Sequence, residues 1–176
     1  MSAVIIYTPP PAVQAAVNQA LSELPNAMDS SHARALLYGI GLQESRFKHR
    51  RQLIKRGTQL VPEGPAKSYW QGECTGGMCA GILRHGATRD LARALCLRHA
   101  VEPNALAIWN AIEHNDILAA SCARLLLWTD PQPLPDYRSP TAESAAWGYY
   151  MRTWRPGKPH PETWADCWAA AVKVLP

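Results

Sequence analysis

Apolar residues recur at helical spacing along most of the chain, and the first such run follows the prolines at positions 9–11. One stripe of this segment, AVQAAVNQALSEL, holds Val13, Val17, Leu21 and Leu24. The stripe predicts an amphipathic helix. A second helix is predicted to begin near Asp29, Ser30 or Ser31, because each of these side chains can accept a hydrogen bond from an amide of the first turn.

The second predicted helix carries a carboxylate on its apolar face. Each residue turns an ideal helix by about 100°. This rotation groups five apolar residues in one sector, namely Ala33, Leu36, Leu37, Ile40 and Phe47. Glu44 falls in the same sector. Because a carboxylate on a packed face is costly unless it is paired or protonated, we expect Glu44 to have a specific role.

The helical pattern breaks between about residues 50 and 83. Glycines at positions 57, 64, 72, 76, 77 and 81 and a proline at position 65 separate short runs such as TQLVPEG and KSYWQGE. This composition is typical of loops and short strands. We therefore predict a small hairpin or lobe here.

Helical spacing then resumes and continues to the end of the chain. Thr88 is the candidate cap of TRDLARALCLRHA, and Pro103 lies near the first turn of EPNALAIWNAIEHN. The segment DILAASCARLLLW is apolar enough to be central. In SPTAESAAWGYYM we expect Ser139 as the cap, Pro140 at the first helical position and Glu143 in the first turn. ETWADCWAAAVKVL reads as a final amphipathic helix. The sequence thus predicts an α+β, mainly α fold in a single domain over residues 1–176, without internal repeats or linkers.

Charge is concentrated in one stretch of the chain. The net charge is +4, and residues 46–56 contain no acid. The basic residues of this stretch are Arg46, Lys48, Arg50, Arg51, Lys55 and Arg56. Such a patch favours a polyanionic partner, such as nucleic acid or an anionic cell-wall polymer, although a solvated loop would look the same.

The sequence shows no targeting or spanning segment. MSAVIIYTPPP has no basic start and its apolar run stops at Pro9, so no signal peptide is predicted. No segment approaches the roughly 20 apolar residues of a membrane span, and no membrane insertion is expected. We expect a monomer that is made in a cytoplasm.

The five cysteines are predicted to be free thiols, because their number is odd and there is no secretory signal. Cys96, Cys122 and Cys167 lie in helical patterns and are expected in the core. Cys74 and Cys79, with His85 nearby, match no strong zinc spacing. We therefore predict no metal site and no cofactor.

Glu44 lies near the end of its predicted helix, where burial and the negative end of the helix dipole both raise a carboxyl pKa. A carboxyl that stays protonated near neutral pH can act as a general acid, which is what glycosidic bond cleavage requires. The alternative from the residues alone is a buried ion pair with Arg46, Arg50 or Arg51.

Four short motifs resemble those of soluble lytic transglycosylases and the wider lysozyme-like superfamily, in particular bacteriophage muralytic enzymes such as endolysins. QESRF, with Glu44 and Ser45, resembles the glutamate-serine motif. GPAKSYWQ resembles the Gly-Leu-Met-Gln segment and matches its glutamine with Gln71. WGYYMRTW resembles the Ala-Tyr-Asn motif without its asparagine, and HPETWADCWAAAV resembles the Pro-Glu-Thr opening of the last helix. The resemblance covers about residues 36–174.

The resemblance implies a lysozyme-like, two-lobed fold with Glu44 on the wall of a substrate cleft. It implies cleavage of the β-1,4 bond between N-acetylmuramic acid and N-acetylglucosamine in bacterial peptidoglycan. Substrate contacts are then expected from five residues: Ser45, Tyr69, Gln71, Tyr149 and Tyr150. An aromatic-rich loop and a basic patch also suit an anionic sugar polymer. Without a signal peptide, such an enzyme would reach the periplasmic wall through a permeabilising partner or from a virion.

The chemistry that follows protonation is left open between two mechanisms. A hydrolysing lysozyme uses a second carboxylate. The Asp that phage lysozymes usually place about nine residues after the Glu is absent from QLIKRG. Glu73 and Glu63 are the possible second carboxylates, and Glu73 is better placed because it follows Gln71. A lytic transglycosylase needs only the one Glu, and this is the mechanism we predict.

Two rival classes remain at the level of sequence. A nucleic-acid-binding module would explain RFKHRRQLIKR, but it would explain no other feature. We therefore expect no nucleic-acid partner. An inactive virion scaffold of lysozyme-like fold is disfavoured by Glu44, Ser45 and Gln71 together.

Overall fold

The structure, a computed structural model, describes residues 8–176, so the first seven residues of the segment tested for a signal peptide lie outside it. Helix α1 (Pro11–Ser22) has proline at its start and buries one face. That face consists of Val13, Ala16, Val17, Ala20 and Leu21. The predicted stripe is therefore confirmed, and Leu24, just beyond the helix, is also buried.

Helix α2 (Ser31–Ser45) begins at Ser30, whose hydroxyl accepts a 3.1 Å hydrogen bond from the amide of Ala33. One of the three candidate caps is thus confirmed. The helix is buried around most of its circumference, so the prediction of a single apolar face is too narrow. It ends at Arg46, where the backbone turns left-handed with φ 56°, and Phe47 follows with φ 52°. This turn ends α2 directly after Glu44 and Ser45.

The predicted hairpin region forms a small lobe of two antiparallel sheets. Strands β1 (Ile54–Arg56) and β2 (Gln59–Val61) pair across a turn that contains Gly57 at φ 63°. Strands β3 (Ala66–Lys67) and β4 (Gly72–Glu73) form the second pair. A π-helical turn (Gly77–Gly81) and the short helix α3 (Ile82–Arg84) lead back to the helical body.

The rest of the described chain is helical. It contains α4 (Arg89–Arg98), α5 (Ala105–Ala111), α6 (Asp116–Trp128), α7 (Ala142–Trp154) and α8 (Pro161–Lys173). Helix α6 is buried along its middle, as predicted for a central element, and it packs on α1. Helix α8 has proline at its start and buries one face against α2, which confirms the amphipathic closing helix. The α+β, mainly α class is confirmed.

Two predicted helix starts and one predicted cap need correction. Thr88 precedes α4, but its hydroxyl donates to the carbonyl of Ile82 at 2.8 Å and caps nothing. Helix α5 begins after Asn104, whose side chain accepts from the amide of Ala107, so Pro103 lies before the helix. Helix α7 begins two residues later than expected. The Ser139 hydroxyl accepts a hydrogen bond from the amide of Thr141, which forms a turn before the helix. At α5 and α7 a local side-chain hydrogen bond accompanies the different boundary, whereas α4 begins where it was predicted. Glu143 does lie in the first turn of α7.

Close contact between α2 and α8 depends on a glycine. A Cβ atom at Gly39 would lie 3.2 Å from Cε3 of Trp168. Next to this contact, Trp164 stacks between Trp168 and Tyr150 of α7, with ring centroids 5.9 and 5.5 Å apart. The aromatic stack fixes α7 and α8 against the end of α2 that carries Glu44.

All five cysteines are free thiols, and Cys96, Cys122 and Cys167 are buried in the core as predicted. In residues 8–176 no cluster of three or more His, Cys, Asp or Glu side chains could hold a metal ion. Over the same residues, no helix combines the length and the apolar character needed to cross a membrane.

Candidate active site

An open cavity of about 610 Å³ lies where the end of α2 meets the small lobe and the loop that follows α7. Glu44 lines it from α2, and Gln71 and Glu73 line it from the β3–β4 hairpin. Trp154, the last residue of α7, forms part of another wall. The fold thus brings the first three sequence motifs to one cavity.

Glu44 is held by a tyrosine rather than by an arginine. The hydroxyl of Tyr150 donates to Oε1 of Glu44 at 2.7 Å. Burial raises the pKa of Glu44 from its ordinary value of 4.5 to about 7, against the Tyr150 hydrogen bond, which lowers it. The negative charge of Glu73 raises the Glu44 pKa further. Near neutral pH, Glu44 therefore exchanges readily between acid and carboxylate, which is the property of a general acid–base catalyst.

The ion-pair alternative for Glu44 is excluded within the described residues. Arg50 forms a two-bond ion pair with Asp116, at 2.6 and 3.1 Å. Arg51 donates to the carbonyl of Gly64 at 3.0 Å. Arg46 donates to the carbonyl of Leu42 and contacts the sulfur of Cys167. None of the three pairs with Glu44.

The hydroxyl of Tyr150 is fixed in direction and keeps its proton at neutral pH. Its ring stacks on Trp164 with an interplanar angle of 8°, which fixes the direction of the hydroxyl. Burial and then the negative charge of Glu44 raise the pKa of Tyr150 well above its ordinary value of 10. The phenol therefore keeps its proton at neutral pH, and it stabilises the carboxylate that Glu44 becomes after it gives up its proton.

Main-chain contacts lock the small lobe onto the helix that carries Glu44. The hydroxyl of Ser45 donates to the carbonyl of Tyr69 at 2.8 Å and accepts from the amide of Phe47 at 3.1 Å. The indole of Trp70 donates to the carbonyl of Leu37, and the indole of Trp154 donates to the carbonyl of Trp70. Ser45 lines the cavity, but its hydroxyl is committed to these contacts. Its place in the structure is that of a positioning residue.

Gln71 directly follows this locked segment. Its backbone is left-handed, with φ 52°. The nitrogen of its side-chain amide donates to the carbonyl of Ser68 at 2.7 Å. The side chain is thereby fixed at the cavity wall. This is where the glutamine was expected to meet the substrate.

The two candidate second carboxylates have different locations. Glu73 is exposed and lines the cavity with Glu44. Glu63 lies in the exposed turn after β2, where it accepts a 3.0 Å hydrogen bond from Arg56, and it does not line the cavity. The sequence analysis favoured Glu73 over Glu63 because Glu73 follows Gln71, and both Gln71 and Glu73 line the cavity.

Three residues predicted to bind substrate, Tyr69, Tyr149 and Tyr150, do not line the cavity. The Tyr69 ring packs edge-on against Phe47 and under the Arg50 guanidinium, 4.6 Å from the ring centre. Tyr149 is buried, and its hydroxyl donates to the carbonyl of Leu127 at 2.9 Å. Of the adjacent tyrosines, Tyr150 alone reaches Glu44, because successive residues of a helix point about 100° apart.

The predicted sugar-stacking loop is also turned inward. The Trp70 ring is fully buried. Trp154, which the sequence analysis did not single out, is the half-buried indole on the cavity wall.

The basic stretch of residues 46–56 does not form one unopposed patch. Asp116, which is remote in sequence, neutralises Arg50, and Glu63, just after the partner strand of the same hairpin, neutralises Arg56. Arg46 and Arg51 line the cavity, as does His49. Arg50 and Arg56 are thus neutralised within the fold, and a polyanionic partner for this stretch stays a prediction.

The loop after α7 supplies basic residues that the sequence analysis missed. Arg155 and Lys158 line the cavity, as does His160. The segment WRPGKPHP joins the third and fourth motifs, and no role was predicted for its basic residues. Its alternation of basic residues and prolines between two motifs was the signal that could have identified it.

The assembled site is an open, positively charged cavity with a neutral-range acid on its wall. This arrangement can protonate a leaving oxygen and then hold the resulting carboxylate against a fixed donor. Comparison of the chain with protein-family models, with curated proteins and with solved structures gave no match.

Proposed function

We propose that this protein cleaves the β-1,4 bond between N-acetylmuramic acid and N-acetylglucosamine in bacterial peptidoglycan, with Glu44 as the acid and base. The observation that carries the proposal is the state of Glu44. It lies on the wall of a 610 Å³ cavity, its pKa is raised to about 7, and Tyr150 holds one of its oxygens. General acids of glycosidases need a raised pKa of this kind.

A lytic transglycosylase mechanism needs only this one carboxyl. Glu44 gives its proton to the leaving oxygen of N-acetylglucosamine as the bond from that oxygen to C1 of the muramic acid breaks. The muramic 6-hydroxyl then bonds to C1, and its proton returns to the Glu44 carboxylate. Tyr150 donates to the carboxylate between the two steps, when the negative charge is largest.

Three features support peptidoglycan as the substrate. The cavity is open to solvent, as a polymer chain requires. Its cationic residues suit a wall polymer that carries carboxylates. The order of the motifs agrees with the lysozyme-like superfamily, and a helical body with Glu44 beside a hairpin lobe is what a lysozyme-like fold would provide. No comparable set of observations supports a nucleic-acid-binding function, since the basic stretch is partly neutralised.

A hydrolytic muramidase is the second candidate, and one observation favours it. Glu73 lines the same cavity and is close enough for its charge to raise the Glu44 pKa. A second carboxylate at this place could activate water or stabilise the developing cation. Glu73 therefore distinguishes the two mechanisms.

The products distinguish them directly. Purified sacculi are digested with the wild-type protein, and the soluble muropeptides are identified by mass spectrometry. We expect 1,6-anhydromuramic ends. Reducing muramic ends would replace the transglycosylase by the hydrolase, and the absence of any release of soluble muropeptides would contradict the proposed function.

A further inference from the structure

A second cavity, of about 440 Å³, lies on another side of the molecule. It is formed by the end of α6, the proline-rich connection to α7, and Tyr149. It shares no lining residue with the cavity that contains Glu44. Its volume is within the range of small-molecule sites, about 300–1,000 Å³.

Arg124 places a buried guanidinium at the wall of this cavity. The side chain lines the cavity and is 1% exposed. Its Nε donates to the carbonyl of Met28 at 2.8 Å, whereas Nη1 has no hydrogen-bond partner among the described residues. Burial lowers the pKa of Arg124 to about 10, so the guanidinium still carries its charge at neutral pH. A buried cation without an anionic partner is a costly arrangement.

The two neighbouring carboxylates are committed elsewhere. Asp130 accepts a 2.9 Å hydrogen bond from Arg152 and a second bond from the amide of Gln132. Asp29 pairs with Arg34. Within residues 8–176, Arg124 therefore forms no salt bridge, and the ring of Trp128 lies 5.0 Å from its guanidinium carbon.

We propose that this cavity binds a small carboxylate with an apolar or aromatic body, with the carboxylate on Arg124. Nε is already bonded to Met28, so Nη1, which has no partner among the described residues, is the donor left for a carboxylate. The remaining walls are mainly apolar and include Trp128, Pro131, Pro133, Leu134 and Tyr149. Such walls favour a carboxylate on an apolar body over a strongly hydrated phosphate. The inference does not depend on the function of Glu44.

Matched pairs of probes test the charge requirement. Benzoate and phenylacetate are titrated against benzamide and phenylacetamide, and the indole N–H resonance of Trp128 is followed by NMR. We expect a saturable shift with the carboxylates and at least about tenfold weaker binding of the amides, because the charged hydrogen bond is lost. No saturable shift with either carboxylate, or equal binding of the amides, would overturn the proposal.

Two variants at the cavity wall test the role of Arg124 without removing it. Leu134→Glu supplies the missing carboxylate from the protein, whereas Leu134→Gln has similar size and no charge. We expect Leu134→Glu to weaken benzoate binding at least about tenfold relative to Leu134→Gln. Equal affinities of the two folded variants would contradict the inference.

Arg124→Met removes the guanidinium, and Arg138→Gln is its control. Arg138 also lies over an aromatic ring, that of Tyr137, but it is exposed and paired with Asp136. Benzoate should no longer shift Trp128 in Arg124→Met and should bind Arg138→Gln as it binds the wild type. Retained binding by Arg124→Met would disprove the assignment. If Arg124→Met does not fold, the Leu134 pair decides.

Discussion

The hydroxyl of Tyr150 donates a 2.7 Å hydrogen bond to Oε1 of Glu44, which joins α7 to the end of α2. This bond favours the charged form of Glu44, whereas burial favours the neutral form. The two effects together leave the pKa of Glu44 at about 7. Tyr150 thus controls the pH at which the proposed acid is active.

Tyr150→Phe should change both the rate and its pH dependence. Without the donor, the pKa of Glu44 rises further, so the loss of activity at alkaline pH should move to higher pH. The rate should fall roughly 10- to 100-fold, because the carboxylate formed after proton donation loses a charge-assisted hydrogen bond. Muropeptide release measured across the pH range checks both effects.

The neighbouring tyrosine provides the control. Tyr149→Phe leaves the buried carbonyl of Leu127 without its donor, so the free energy of unfolding should fall by about 1–3 kcal/mol. The pH dependence of activity should not move. Equal shifts of the pH profile in the two variants would show that Tyr150 acts only through stability.

Glu44 should also make the stability of the protein depend on pH. Its pKa is about 7 in the folded state and near 4.5 when exposed. The folded state therefore holds an extra proton between these values. The contribution of Glu44 is complete below pH 4.5 and is lost as the pH rises through 7. The pKa difference sets an upper limit of about 3 kcal/mol.

Glu44→Gln should remove this dependence. The variant should gain stability relative to the wild type as the pH rises between these two values, and the difference should then level off. Urea unfolding of both proteins at a series of pH values measures it. A stability difference that is constant over the whole range would mean that the Glu44 pKa is not raised.

Glu73→Gln tests whether a second carboxylate takes part in the reaction. Removal of the Glu73 charge lowers the pKa of Glu44, so the alkaline loss of activity should move to lower pH. For a transglycosylase we expect less than about a tenfold loss of rate at the optimum, whereas loss of a catalytic carboxylate would cost about 100-fold or more. Glu63→Gln is the control, because it removes only an exposed pair with Arg56 and should change neither quantity.

The cations beside the cavity should govern binding to the wall. The double variant Arg155→Gln, Lys158→Gln removes two exposed charges from the cavity rim, and binding to sacculi should weaken and depend less on salt. The control Lys55→Gln, Arg56→Gln removes two charges from the β1–β2 hairpin, outside the cavity lining. Sedimentation with sacculi at several salt concentrations measures both. Equal weakening by the two variants would show that binding depends on the overall charge of the protein and not on the cations beside the cavity.

The sequence predicted features that depend on local periodicity or on a single side chain. The stripe of α1, the Ser30 cap, the hairpin lobe and the buried middle of α6 are of this kind. Position Glu44 was identified because a carboxylate interrupted an apolar sector. These features needed no knowledge of which elements pack together.

Features that depend on pairing between distant elements could not be read from the sequence. Nothing near residue 50 indicates that Asp116 will neutralise Arg50. The choice between Tyr149 and Tyr150 depends on the rotation of α7, which the stack with Trp164 sets. That the loop at residues 155–160 lines the same cavity as the small lobe is known only from the fold.

The most direct test of the central proposal is muropeptide release by Glu44→Gln from purified sacculi, with folding verified by a melting curve. The substitution keeps the shape of the side chain and can still accept from Tyr150, but it cannot deliver a proton. We expect release to fall by about 10²–10⁴-fold or more while the protein stays folded and is at least as stable as the wild type at neutral pH. Release at the wild-type level by the folded variant would show that Glu44 is not the catalytic acid.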